Sequence, residues 1–111
     1  ATEEAVEVYR RLAAANPAAF EPNLARSLWA FAWVCVKSKA NWIEARELVT
    51  EAINLYERLI QRFPQTFAGE LLSAYRTLAD VLDGLGQADE AADLRRQLNK
   101  AAGGSSPDRT D

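Results

Sequence analysis

Histidine is absent from these 111 residues. Its absence removes the commonest general base and the commonest transition-metal ligand. Cysteine occurs once, at Cys35, so no internal disulfide can form, and a cytoplasmic setting is the default expectation. Glycine and proline are scarce, at five and four residues, while alanine is abundant, a balance that favours helix throughout. No apolar run approaches the length of a membrane span and no signal peptide opens the chain, so a membrane is not an expected partner. Neither charge sign dominates. The 13 basic and 16 acidic residues are interspersed and leave a net −3. Without a basic patch, nucleic acid is not an expected partner either. Methionine is missing too, and the chain enters a helical pattern almost at once, so it reads as excised or processed from a longer protein.

What is present is a run of amphipathic segments. The first helix is expected over 2–15, with an apolar stripe of Ala5, Val8, Tyr9 and Leu12. Asn16-Pro17 ends it, because the residue before proline is pushed out of the helical region. Phe20 and Pro22 lead into a second helix that ends near 37–39, with Pro22 in its first turn. Asn41 to Glu44 has the form of a capping box and opens a third helix. Its stripe runs Ala45, Leu48, Val49, Ala52, Ile53, Tyr56, Leu59, Ile60 and Phe63, and Pro64 closes it. A fourth helix starts near Thr66, carries Phe67, Leu71, Leu72, Tyr75, Leu78, Ala79 and Leu82, and breaks at Gly84 and Gly86. A fifth spans about 87–101 with Ala91, Leu94 and Leu98 inward. Residues 103–111 read as a flexible polar tail.

The stretch from Leu24 to Trp42 stands apart. It holds all three tryptophans and the cysteine and is apolar around most of its circumference. Comparing the chain with itself explains half of this. AVEVYRRLAAANPAAFEPNLARSL aligns with AINLYERLIQRFPQTFAGELLSAY at an offset of 47 residues. Tyr9 falls on Tyr56, Pro17 on Pro64 and Phe20 on Phe67. Leu24, Leu28, Phe31, Ala32 and Cys35 fall on Leu71, Tyr75, Leu78, Ala79 and Leu82. GluAla at 44–45 matches GluAla at 90–91 one residue short of that offset, so the first inter-helix turn carries one extra residue.

A helix–turn–helix unit at this period is a solenoid signature. The pattern large, large, small, large at Leu28, Phe31, Ala32 and Cys35, with the small Ala45 and Ala91 opening the second helices, resembles the tetratricopeptide repeat. More closely, YRRLAAANPAAFEPNLARSL resembles the long-period arrays of actinobacterial regulatory and signalling proteins. The resemblance covers roughly residues 3–100. It implies an all-α, right-handed helix–turn–helix solenoid of about five helices over 1–102: a half repeat (2–15) and two full ones (22–63 and 66–101). Two departures stand out. The family's second helix usually ends in proline soon after its stripe, whereas here it runs on. The family's asparagine-rich first-helix face is replaced by Trp29, Ala30 and Trp33.

The resemblance also implies a function. Trp29, Trp33 and Val36 form a second stripe, about 110° from the first. Their counterparts are the polar Arg76, Asp80 and Asp83. In tetratricopeptide repeats this face lines a concave groove for peptides, so Arg26, Trp29, Trp33, Lys37, Arg76 and Asp80 are the expected partner-binding residues. The partner would be a peptide, a protein segment or another domain of the parent protein. Two other uses of the tryptophans stay open: packing against residues 2–15 or a terminal surface of the array, and self-association into a homodimer as a purely structural element. Trp42 is expected as a lid on the helix–helix turn. No catalytic residue, cofactor or metal is expected. Cys35 lies on the core stripe, and the carboxylates at Asp80, Asp83, Asp89, Glu90 and Asp93 read as solvated helix faces. Gly84-Leu85-Gly86 lacks the lysine and preceding strand of a phosphate loop.

Overall fold

The computed structural model describes residues 2–103 and is all-helical. Its five helices are α1 (Thr2–Ala15), α2 (Pro17–Ser38), α3 (Trp42–Arg62), α4 (Pro64–Gly84) and α5 (Ala88–Gly103). Among the described residues there is no strand. Of the tail expected over 103–111, Gly103 closes α5 and the rest lies outside the described residues. Each helix packs against the next, and α2 also meets α4. The molecule measures 50 × 34 × 17 Å. Its thickness matches two helices laid one on the other.

The 47-residue offset is written into the backbone. Asn16 is the whole connection between α1 and α2, and Phe63 the whole connection between α3 and α4. Both are extended, at φ −148° and −135°, because a proline follows each. Asn16 donates to the Leu12 carbonyl as Phe63 does to that of Leu59. Each then accepts two amides of the following helix: Ala19 and Phe20 on Asn16, Thr66 and Phe67 on Phe63. The prolines occupy first helical positions, where a missing N–H costs nothing.

The other corners also match, up to one residue. Lys39 (φ +53°) and Gly86 (φ +82°) sit in the left-handed region. The amides of Lys39 and Ala40 bond Val36 and Cys35, and those of Gly86 and Gln87 bond Asp83 and Leu82. Both corners thus close by the same pair of backward bonds, the Schellman arrangement. The extra residue follows at once: Ala45 bonds Asn41 as Ala91 bonds Gln87.

Three local expectations need correction. Helix α2 begins at Pro17, not near Pro22, which therefore lies inside the helix. The expected Asn41–Glu44 capping box does not form. Fitting the extra residue takes Asn41 to φ +59°, away from the extended conformation in which a cap side chain reaches the first amides. Finally, Val8 of the expected α1 stripe is exposed, and Val6 and Ala13 are the buried residues of that helix.

The core centres on α2 and α3. Leu28, Val49, Tyr56 and Val81 are its largest fully buried side chains. Ala25, Ala32, Ala45, Ala52, Ala74, Ala79 and Ala91 are wholly enclosed where helices approach. Leu55 joins this core beyond the expected stripe, whereas Phe63 stays half exposed at its corner, edge-on to Phe67. Cys35 is buried, as its stripe position implies, and burial pushes its thiol up from the ordinary range.

Candidate functional site

The three tryptophans have three different roles. Trp29 is half-buried at the edge of the core, and its Nε1 donates to Thr77 Oγ1 on α4 at 2.9 Å. Thr77 in turn donates to the Ser73 carbonyl at 3.1 Å, so the one buried polar side chain among those described is satisfied. Trp29 thereby ties α2 to α4. Trp33, one turn on, is 44% exposed and carries the Lys37 ammonium 5.0 Å from its ring centroid. Trp42 lies over Gly84 at the end of α4, so close that a Cβ there would stand 2.3 Å from the indole.

Beside Trp29 is a concavity of 390 Å³ lined by Arg26, Trp29, Ala30, Tyr56, Glu70 and Ser73. Its polar wall is a closed network. Arg26 donates from Nε and Nη2 to both oxygens of Glu70, at 2.9 and 3.0 Å. Tyr56 lines the same concavity, and its hydroxyl is under the influence of the same carboxylate. Arg26 also lies 5.5 Å from the Phe67 ring centroid. The Glu70 bonds hold the guanidinium in its charged form, and burial together with Glu70 pushes the Tyr56 hydroxyl well up. The wall that remains is the indole of Trp29, the methyl of Ala30 and Ser73. Such a cavity suits an uncharged apolar group.

The remaining expected residues lie farther along. Arg76 and Asp80 line a second concavity of 290 Å³ with Arg95, Leu98 and Asn99. Asp80 is not free, because Arg95 bridges it at 2.8 Å and Asp83 at 2.7 Å. Lys37 and Arg76 have no carboxylate partner among the described residues. The free charge of this face is therefore positive on a chain that is net negative. The six expected residues therefore divide: Arg26 and Trp29 share the first concavity, Arg76 and Asp80 the second, and Trp33 and Lys37 line neither.

Tyr56 and Glu70 complete that cavity and escaped the sequence reading. Tyr56 was indistinguishable from its neighbours on the α3 stripe. Glu70 left a weak trace: it stands one turn before the counterpart of Arg26, where a neighbouring, similarly directed helix can offer it opposite charge. Among the described residues, no group of three or more His, Cys, Asp or Glu could hold a metal ion, and no helix is long and apolar enough to cross a membrane.

The phenols give this region a pH signature. Tyr75 donates to Glu57 of α3, and burial with that bond pushes its pKa from 10 up to about 12. A raised phenol favours the fold fully below the unfolded value, and that contribution is lost as pH climbs toward 12. Tyr56 acts in the same sense. Tyrosinate absorbance and far-ultraviolet dichroism, followed together from pH 8 to 13, should show both phenols ionising only as helicity falls. Ionisation of Tyr56 and Tyr75 near pH 10, with helicity intact, would contradict the raised phenols.

Compared with models of known protein families, with curated proteins and with solved structures, the chain matches none.

Proposed function

We propose that this chain is a non-catalytic protein-interaction module, a section of a right-handed tetratricopeptide-like superhelix within a larger regulatory protein. It takes a peptide or protein segment along the α2–α4 face. Two features support the architecture: matching hydrogen-bonded corners 47 residues apart, and the direct meeting of α2 with α4. The reading of the face rests on one observation above all. Trp33 is 44% exposed, although the same position in the following unit is Asp80. The scaffold does not need an indole there, and an exposed indole next to an apolar cavity is the usual anchor of a binding hot spot. The unpaired Lys37 and Arg76 favour a segment that carries acids beside its apolar anchor.

Selection of peptides from a displayed random library tests this. The enriched sequences should combine an apolar residue with acids, and Trp33→Ala should weaken the best of them at least tenfold, about 1.4 kcal/mol. Because Trp33 is exposed, the melting curve should not move. Selected peptides that bind Trp33→Ala as tightly as the parent chain would remove the groove from consideration. A concentration-dependent dimer that shields Trp33 from quencher would instead favour the structural, self-associating element.

A further inference from the structure

Helices α1 and α3 occupy matching positions 47 residues apart, yet they are covered differently. α3 is packed by α2 and by α4, whereas α1 packs on α2. Ala52, Leu55 and Leu59 of α3 are buried, Leu55 to 5% exposure. Their counterparts Ala5, Val8 and Leu12 are not: Val8 is 47% exposed and the other two are half-buried. The covered residues of α1 are Val6 and Ala13, which match Ile53 and Ile60, roughly a third of a turn around the helix. That side is covered in α1 by α2, the helix that follows it. By the same register the Ile53–Ile60 side of α3 belongs to α4, and the Ala52–Leu55–Leu59 side belongs to α2. The Ala5–Val8–Leu12 side of α1 is therefore shaped for a helix in the place that α2 holds on α3.

The charges agree independently. Arg58 of α3 reaches across to Glu21 of α2 at 3.2 Å. Its counterpart is Arg11, which extends into solvent with only Glu7 of its own helix at 3.9 Å. Glu21 lies two turns before Leu28, the start of the large–large–small–large stripe.

We infer that the outer face of α1 docks an amphipathic helix of α2's kind, one whose large–large–small–large stripe covers Val8 and whose acid, two turns earlier, pairs with Arg11. This site is separate from the α2–α4 face and does not rest on its reading.

The test uses the full chain and a fluorescein-labelled peptide of residues 17–38 carrying Cys35→Ser, followed by anisotropy. Saturable binding is expected. Val8→Glu should weaken it at least tenfold without loss of protein helicity, since Val8 is exposed. Arg11→Glu should weaken it several-fold, and Glu21→Arg in the peptide should restore it on that background. Trp33→Ala should leave it unchanged. No saturable binding, or equal binding to Val8→Glu, overturns the proposal. So does a dimer of the parent chain in sedimentation that Val8→Glu returns to monomer, because a second copy then covers the face.

Discussion

Leu28→Ala is expected to cost about 2–5 kcal/mol, the range for emptying a fully enclosed aliphatic site. Leu28 has no accessible surface, and its helix packs against α1, α3 and α4, so its loss leaves a void with walls on several helices. Helices joined by connections of one and three residues have little freedom to close inward over that void. For a domain whose whole stability is about 5–15 kcal/mol, roughly an eighth or more would vanish. At about 4–8 °C per kcal/mol the melting temperature should fall by about 8 °C or more. Denaturant titration should show a lower midpoint with an unchanged slope. Val8→Ala makes the control: the side chain is half exposed, and the change should stay within about 0.5 kcal/mol. A Leu28→Ala cost no larger than that of the control would mean that α2 is not packed as described.

The second expectation concerns a sign. Glycine to alanine near the end of a helix normally helps, by up to about 1 kcal/mol, because alanine is the better helix former. Gly84→Ala should do the reverse, costing about 1–3 kcal/mol, because the new methyl would stand 2.3–2.4 Å from three ring atoms of Trp42. The indole is rigid and bears on Gly84 with the middle of its ring, so it cannot yield by bending one end. Removing the ring should restore the ordinary sign: in a Trp42→Ala background, Gly84→Ala should be neutral or favourable. The coupling between the two substitutions, read from a double-mutant cycle of denaturation midpoints, isolates the contact. A cycle that closes with no coupling would show that the ring does not rest on Gly84.

Most of the helical framework was legible in the sequence because its punctuation is local. Pro17 and Pro64 fix their corners through the residue before each, and Gly86, in the left-handed region, turns the chain after α4. The errors arose where a neighbour decides. The apolar arc of α1 is wide enough for two helices, and composition cannot say which side is taken. Val8 and Val6 look alike in the sequence and differ only in what packs on them. Pro22 suggested a helix start, but Pro17 had already filled that position, and α4 carries another, milder helix breaker, Gly69, at the matching place. Asn41 carries the right side chain for a cap in the wrong backbone conformation, set by a one-residue difference between the two turns.

The candidate site was legible at its apolar centre and not at its charged edge. Trp29 and Trp33 stand out because the second unit shows that the scaffold can do without them. Glu70, Tyr56 and Arg95 do not, since one acid, one phenol and one base among many carry no mark until α2, α3, α4 and α5 are placed side by side. The ion pairs then change the charge of the face: Asp80 and Asp83 are committed to Arg95, which leaves Lys37 and Arg76 without an acid among the described residues.

The packing of each helix on its chain neighbours also bears on how the molecule is assembled in time. Even the bond from Trp29 to Thr77, which joins α2 to α4, closes a span of only 48 residues. The connections between helices are one or three residues long. Little chain must be searched before a contact is rewarded, so order can start at any adjacent pair and spread outward, and the rate of folding is set by local helix pairing and not by the meeting of distant ends.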